Sequence, residues 1–302
     1  DRSFSPNEAS FGENRLTEVV VSGTKKDKIL LVPIKGIISD KSVEGLFFST
    51  QGMVEMVKLT LNQAASDDFV RAVIFEVDSP GGGITASDII YNNIVNFKNK
   101  TGKSVIVYMQ DVAASGGYYV SVAADKIIAH PTTITGSIGV IMPMINVAGL
   151  IGKYGIEDKS IKSGLMKDIG SPLKQMLPAE ENVLSEIVME MYMRFVTIIA
   201  NERKLPIEHI KSLADGRIFT GRQALENGLI DQVGYLEDAI KLAKDVVGLE
   251  KASIIRYQKK FGFGDIFKVM VSRVFTNPEI TIKLDEFPIE HLSKPMYLWS
   301  GY

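Results

Sequence analysis

RAVIFEVDSPGGGITASDIIYNNIVNFKN, residues 71–99, sets the fold class. RAVIFEV is a β-branched apolar run suited to a strand buried on both faces. It stops at DSPGGG (78–83), after which Ile90, Ile94 and Phe97 recur at helical spacing. A second apolar run, SVIVYM (104–109), follows, so strand, turn, helix and strand form a βαβ unit in a parallel sheet. The pattern repeats outward from there. KILLVPIKGII (28–38) predicts a strand and GMVEMVKLTLNQAA (52–65) a helix, while KIIAH (126–130) predicts a short strand. PAEENVLSEIVMEMYMRFVTIIANERK (178–204) predicts a long helix, with Pro178 in its first turn and Glu180 and Glu181 at the positive end of its dipole. Residues 224–247 predict two short helices around Gly234, and KKFGFGDIFKVMVSRVF (259–275) a peripheral helix. The expected fold class is α/β, a largely parallel sheet flanked by helices.

The bulk of the chain narrows the function. It has 302 residues, 45% of them hydrophobic, enough for a well-filled core. A net charge of -2 argues against a nucleic-acid binder driven by phosphate neutralisation. No cysteine is present, which removes disulfides, thiolate metal sites and cysteine nucleophiles. The three histidines, His130, His209 and His291, have no metal-binding spacing. No apolar run reaches the roughly 18 residues of a membrane-spanning helix.

Two turns carry candidate chemistry, and both follow strand C-termini, where sheets of this kind bind ligands. Three glycines in DSPGGG bring bare backbone close to another group. They lack the Lys-Ser/Thr pair of a phosphate loop, which leaves an oxyanion hole or a tight β–α turn. In AASGG (113–117), Ser115 is either a helix cap or a nucleophile whose acyl group approaches the Gly116 N–H. A nucleophile needs a base, and His130, Lys162 and Lys167 are the candidates; a lysine serves only if its site favours the neutral amine.

DSPGGG, AASGGYY (113–119), TGSIGV (135–140), IKSG with KD three residues on (161–168), and DGRIFTGRQALENGLID (215–231) occur in this order. Together they resemble the signal peptide peptidase SppA family in its short bacterial form, over roughly 28–245, with a weaker echo in PMYLWSG (295–301). The resemblance implies a ClpP/crotonase-like fold of repeated β-β-α units. Its implied domains are an N-terminal extension (1–27), a peptidase domain (28–248), and a C-terminal extension (249–302) that is peripheral or assembly-related. It implies a serine endopeptidase with Ser115 as nucleophile, Lys167 as general base, Ser137 orienting the lysine, and the N–H groups of Gly82 and Gly116 as oxyanion donors. Substrate would lie along Gly81, Gly83, Ile138, Gly139 and Val140, and no cofactor or metal is implied. The implied partners are remnant signal peptides and further copies of the chain, in a ring of about eight. The implied location is the bacterial membrane, through an N-terminal anchor, with the catalytic region outside the cytoplasm. From the groove itself, small or medium apolar residues are expected just before the scissile bond. An acyl-CoA enzyme of the crotonase class would have no use for a Ser115–Lys167 pair, and a non-enzymatic scaffold would be expected to have lost one of the two.

Overall fold

Each central strand alternates its side chains between two apolar layers, so the sheet is covered on both faces. In the computed structural model, which describes residues 15–41, 43–45, 48–50, 52–259 and 295–299, strand β1 (Thr17–Ser22) precedes β2 (Lys28–Lys35). A small hairpin of β3 (Val43–Gly45) and β4 (Phe48–Thr50) leads to helix α1 (Met53–Ala65). Then come β5 (Val70–Ser79), the short β6 (Gly81–Gly83), α2 (Ile84–Thr101), β7 (Ser104–Ala114), α3 (Gly116–Ser121), β8 (Lys126–Ala129) and β9 (Ile134–Gly136). The second half holds α4 (Ala148–Lys153), α5 (Pro178–Arg203), α6 (Ile207–Leu213), β10 (Ile218–Thr220), α7 (Gly221–Glu226), β11 (Gln232–Val233), α8 (Leu236–Val246) and β12 (Ser253–Gln258). A last strand, β13 (Met296–Leu298), comes from the C-terminal segment.

The main sheet has the order β1-β12-β2-β5-β7-β8-β11, and every adjacent pair is parallel except β1 with β12. On one face Leu30, Val73, Phe75, Val105 and Val107 join the larger core beneath α1, α2, α3 and α5. On the other, Ile29, Leu31, Ile74, Ile106 and Ile128 pack with Ala239 and Ala243 of α8. Burial on both faces explains why these strands read as continuous apolar runs. The sheet extends beyond the 28–248 span at both ends, because β12 pairs with β2 and carries β1 at its outer edge. The helix expected over 259–275 lies outside the described residues, apart from Lys259. No described helix is long and apolar enough to cross a membrane.

One irregularity positions the site. β7 is parallel to β8 through Ile106–Met109, then continues past the polar pair Gln110 and Asp111 and pairs with β9 through Val112–Ala114. Its register against β5 shifts over the same stretch, from Val77↔Met109 to Ser79↔Ala113. This bulge carries the end of β7 away from β8 and alongside β9.

Candidate active site

Ser115 is the residue that joins β7 to α3. Its φ of 51° and ψ of -114° are rare for a side chain with a Cβ, and no cap hydrogen bond from its hydroxyl accompanies them. The cap reading therefore fails. A strained serine at a strand-to-helix turn, held by surrounding structure, has the geometry of a nucleophile elbow, here reached without a GxSxG motif. Its N–H donates to the Gly136 carbonyl at 2.7 Å, and its carbonyl accepts from Tyr119 N at 2.8 Å. The residue is 1% exposed.

Ser137 stands beside it. Ala114 and Gly136 are register partners of the parallel pair β7 and β9, so Ser115 and Ser137 leave neighbouring strand ends together. Ser137 also has a positive φ, 48°, and its N–H donates to the Arg217 carbonyl at 2.8 Å. The residue just before β10, which is antiparallel to β9, thus fixes this second serine.

The glycine turn closes the other side. Gly81 has a φ of 105°, and its N–H donates to Ser79 Oγ at 3.1 Å. A side chain at Gly81 would collide with the Tyr297 carbonyl oxygen and come within 2.7 Å of Gly116 N. A side chain at Gly116 would stand 2.6 Å from Ser87 Oγ and 3.1 Å from Gly82 N. The expected oxyanion glycines, Gly82 and Gly116, therefore touch, and only bare backbone fits there. Ser87 donates to the Gly83 carbonyl at 3.0 Å from within α2.

β13 lies along this turn. It pairs antiparallel with β6, placing Tyr297 opposite Gly82, and Trp299 N donates to the Pro80 carbonyl at 2.9 Å. Since 299 and 80 hydrogen-bond, the alternation of an antiparallel ladder makes Tyr297 and Gly82 the next hydrogen-bonded pair. On its far side Met296 exchanges two backbone bonds with Ile141, at 3.0 and 2.8 Å. The chain's own C-terminal segment thus runs as an extended strand between 81–83 and 141. Tyr297 is 0% exposed, stacked on Tyr119 at 4.9 Å and against Phe195 at 4.7 Å, with its hydroxyl donating to the Met191 carbonyl at 3.0 Å. Tyr119 itself donates to Asp88 at 2.5 Å, and Arg194 holds the same carboxylate. Burial pushes the phenols of Tyr119 and Tyr297 well above their ordinary range, so both stay neutral donors.

The structure brings Ser115, Ser137, Gly81, Gly82, Gly83 and Gly116 together. Of the expected substrate wall, Gly139 and Val140 are partly exposed, whereas the Ile138 side chain belongs to the core. Lys167 is on the exposed segment between α4 and α5, and no hydrogen bond joins its side chain to Ser115 or Ser137. Lys162 pairs with Asp168, and His130 bonds to Thr132 at 2.8 Å with its ring edge against Tyr235. Sequence reasoning missed Tyr119 and Tyr297. The apolar run PMYLW was the available signal, but it sat in a segment expected to be peripheral or assembly-related.

Comparison with known proteins places the chain in a family. The profile of Peptidase family S49 matches residues 97–250. The chain is 36% identical to the putative signal peptide peptidase SppA of Enterococcus faecium, over 98% of this chain and 88% of that protein. It is 33% identical to the chloroplastic serine protease SPPA of Arabidopsis thaliana, over 72% of this chain and 32% of that one. It is also 33% identical to Protease 4 of Salmonella typhi, over 66% and 32%. The chain thus spans about a third of these two longer relatives. Among solved structures, a ClpP1 mutant from Listeria monocytogenes aligns with a TM-score of 0.46 and 18% identity, over 70% of this chain and 94% of that one. With a strained serine between two glycine turns and this family match, the chain belongs to peptidase family S49 and is a serine peptidase.

Proposed function

We propose that the protein is a serine–lysine endopeptidase that degrades extended hydrophobic peptides, remnant signal peptides among them, through an acyl-enzyme. Ser115 Oγ attacks the scissile carbonyl carbon and its proton passes to the neutral Lys167 amine, which the Ser137 hydroxyl orients. The N–H groups of Gly82 and Gly116 take the oxyanion, each such donor contributing about 3–4 kcal/mol at the transition state. Collapse breaks the C–N bond, and the leaving amine takes the proton from the Lys167 ammonium. Water then attacks the ester, gives its proton to Lys167, and Ser115 is released with its proton restored.

The observation that carries this reading is β13. A peptide strand of the chain already lies against the glycine turn, with the Tyr297 carbonyl at Gly81–Gly82 beside Gly116. We take it as the path of a substrate main chain, bound by backbone hydrogen bonds with side-chain pockets at alternate positions. The pocket of Tyr119 and Phe195 holds a tyrosine, so large apolar and aromatic residues suit the position before the cut better than the small ones expected from sequence.

Assembly belongs to the same reading. Lys167 is flanked by Ile161, Leu165 and Met166, and Leu165 is 82% exposed in the single chain. A lysine base works in its neutral form, which dry surroundings favour. Covering this segment with another copy of the chain, in the ring the family resemblance implies, would bury the apolar residues and bring the amine to Ser115. Membrane attachment and an extracytoplasmic location follow from that resemblance as well. The test is peptide turnover by the assembled protein, by Ser115→Ala and by Lys167→Ala. Loss of turnover in both variants, with assembly mass unchanged, supports the dyad; normal kcat in Lys167→Ala overturns it.

A further inference from the structure

Lys167 sits where regular structure is absent, yet a general base has to be held to within a few tenths of an ångström. Local turns do part of this, with Lys167 N donating to Gly164 O at 3.1 Å and Ser171 N to Asp168 O at 3.0 Å. The remaining fastening is ionic. Asp168, the residue after Lys167, pairs with Lys162 and, at 3.0 Å, with Lys174. Lys174 also pairs with Glu180, whose side chain is 0% exposed in the first turn of α5. Glu180 accepts from Leu177 N at 3.0 Å, which locks its carboxylate to the helix start. Further along α5, Phe195, Val196 and Ile199 are fully buried in the main core. One lysine between two carboxylates therefore links the turn bearing Lys167 to a helix anchored in the main core.

We propose that Asp168, Lys174 and Glu180 are positioning residues for the Lys167 amine, a reading that rests on Lys167 being the base. The chain of charges is directional: α5 holds Glu180, Glu180 holds Lys174, and Lys174 holds Asp168. Lys162 lies at its outer end, where its side chain is 30% exposed, and contributes less. The pairing keeps Asp168 and Glu180 below the usual carboxylate range and Lys174 above the usual lysine range, so all three stay charged at neutral pH.

Steady-state peptide hydrolysis by the assembled full chain tests this with Asp168→Asn, Lys174→Met and Glu180→Gln. Lys174→Arg serves as the conservative variant and Lys159→Ala as a control in an exposed pair. Each of the first three should lose roughly tenfold to a hundredfold in kcat, the scale of a small misplacement of a catalytic group, with KM and assembly mass unchanged. Lys174→Arg should recover most of the kcat, and Lys159→Ala should match the parent. Placed on Lys167→Ala, Asp168→Asn should cause no further loss, since nothing remains to be positioned. If Lys167→Ala is inactive while the three variants keep full kcat, or lose KM or assembly instead, the positioning role is overturned and the dyad stands. If Lys167→Ala keeps normal kcat, the base reading fails, and this inference with it.

Discussion

The two halves of the site are built by opposite means. Around Ser115 the chain is buried and knitted by hydrogen bonds to the backbone: Gly136 holds the serine N–H, Arg217 holds Ser137, and the hydroxyls of Ser79 and Ser87 hold the glycine turn. Around Lys167 the chain is exposed, is helical only in α4, and depends on ion pairs and a few turns. The proposed nucleophile is pre-organised by the fold of one chain. The proposed base is fastened to that fold but not enclosed by it. On the proposed reading, such a peptidase would stay idle until the second half is covered, because a serine nucleophile without a dry amine has no efficient route for its proton.

The largest effect separates the halves outright. Ser115→Ala and Lys167→Ala should each lower kcat by on the order of 10⁴-fold, and the double variant by no more, since the two act as a unit. Additive losses, measured on the same peptide, would break the pairing.

Glycines sharpen the contrast next. Gly81→Ala and Gly116→Ala place a Cβ against backbone or a buried hydroxyl, and should cost roughly a hundredfold or more in kcat/KM through the lost oxyanion geometry. Gly149→Ala, in α4 with nothing within 4 Å, should leave activity within about twofold and slightly favour the helix. Equal losses in all three would mean that both sides are equally tightly built.

Substrate preference comes third. Peptides with Tyr, Phe or Leu at the position matching Tyr297 should be cleaved on the order of a hundredfold better, in kcat/KM, than those with Asp or Lys. Mapping cuts in an unbiased peptide mixture checks this, and a preference for charged residues there would remove the Tyr119–Phe195 pocket from the account.

The smallest effect lies away from the site and tests the rigid side alone. Asp231 accepts from Arg203 at 2.9 Å and from Ile127 N at 2.8 Å, and these partners hold its carboxyl below the usual range. A lowered carboxyl contributes stability that is present above its unfolded pKa and lost as pH falls through the lower folded value. Asp231→Asn should therefore cost about 1–3 kcal/mol at pH 7, with the difference vanishing in acid. A denaturation series from pH 7 to pH 2 shows whether it does, and a pH-independent difference would contradict the ionic assignment.

Much of the serine half was legible in the sequence, because its determinants are local. Apolar runs at 28–38, 71–77 and 104–109 needed only burial on both faces to become β2, β5 and β7. The glycines at 81–83 and 116 declared that backbone comes close to backbone there. What could not be read was non-local. Gln110 and Asp111 look like the end of a strand, yet β7 passes through them because β9 offers a new partner. Positive φ at Ser115 and Ser137 is invisible in residues that usually avoid it; the surrounding hydrogen bonds impose it. Tyr297 is buried only because an unrelated pocket from α3 and α5 receives it. The exposure of Lys167 depends on everything that does not pack around it, which no local pattern records.

The central claim is that Ser115 forms a covalent acyl-enzyme whose formation needs Lys167. Intact-mass spectrometry of the assembled protein with a serine-directed acylating peptide ester tests it most directly, with the adduct mapped by digestion. The account predicts one acyl group per chain, on Ser115, absent in Ser115→Ala and formed at least a thousandfold more slowly in Lys167→Ala. An adduct that persists in Ser115→Ala, or forms in Lys167→Ala at the parent rate, would contradict it.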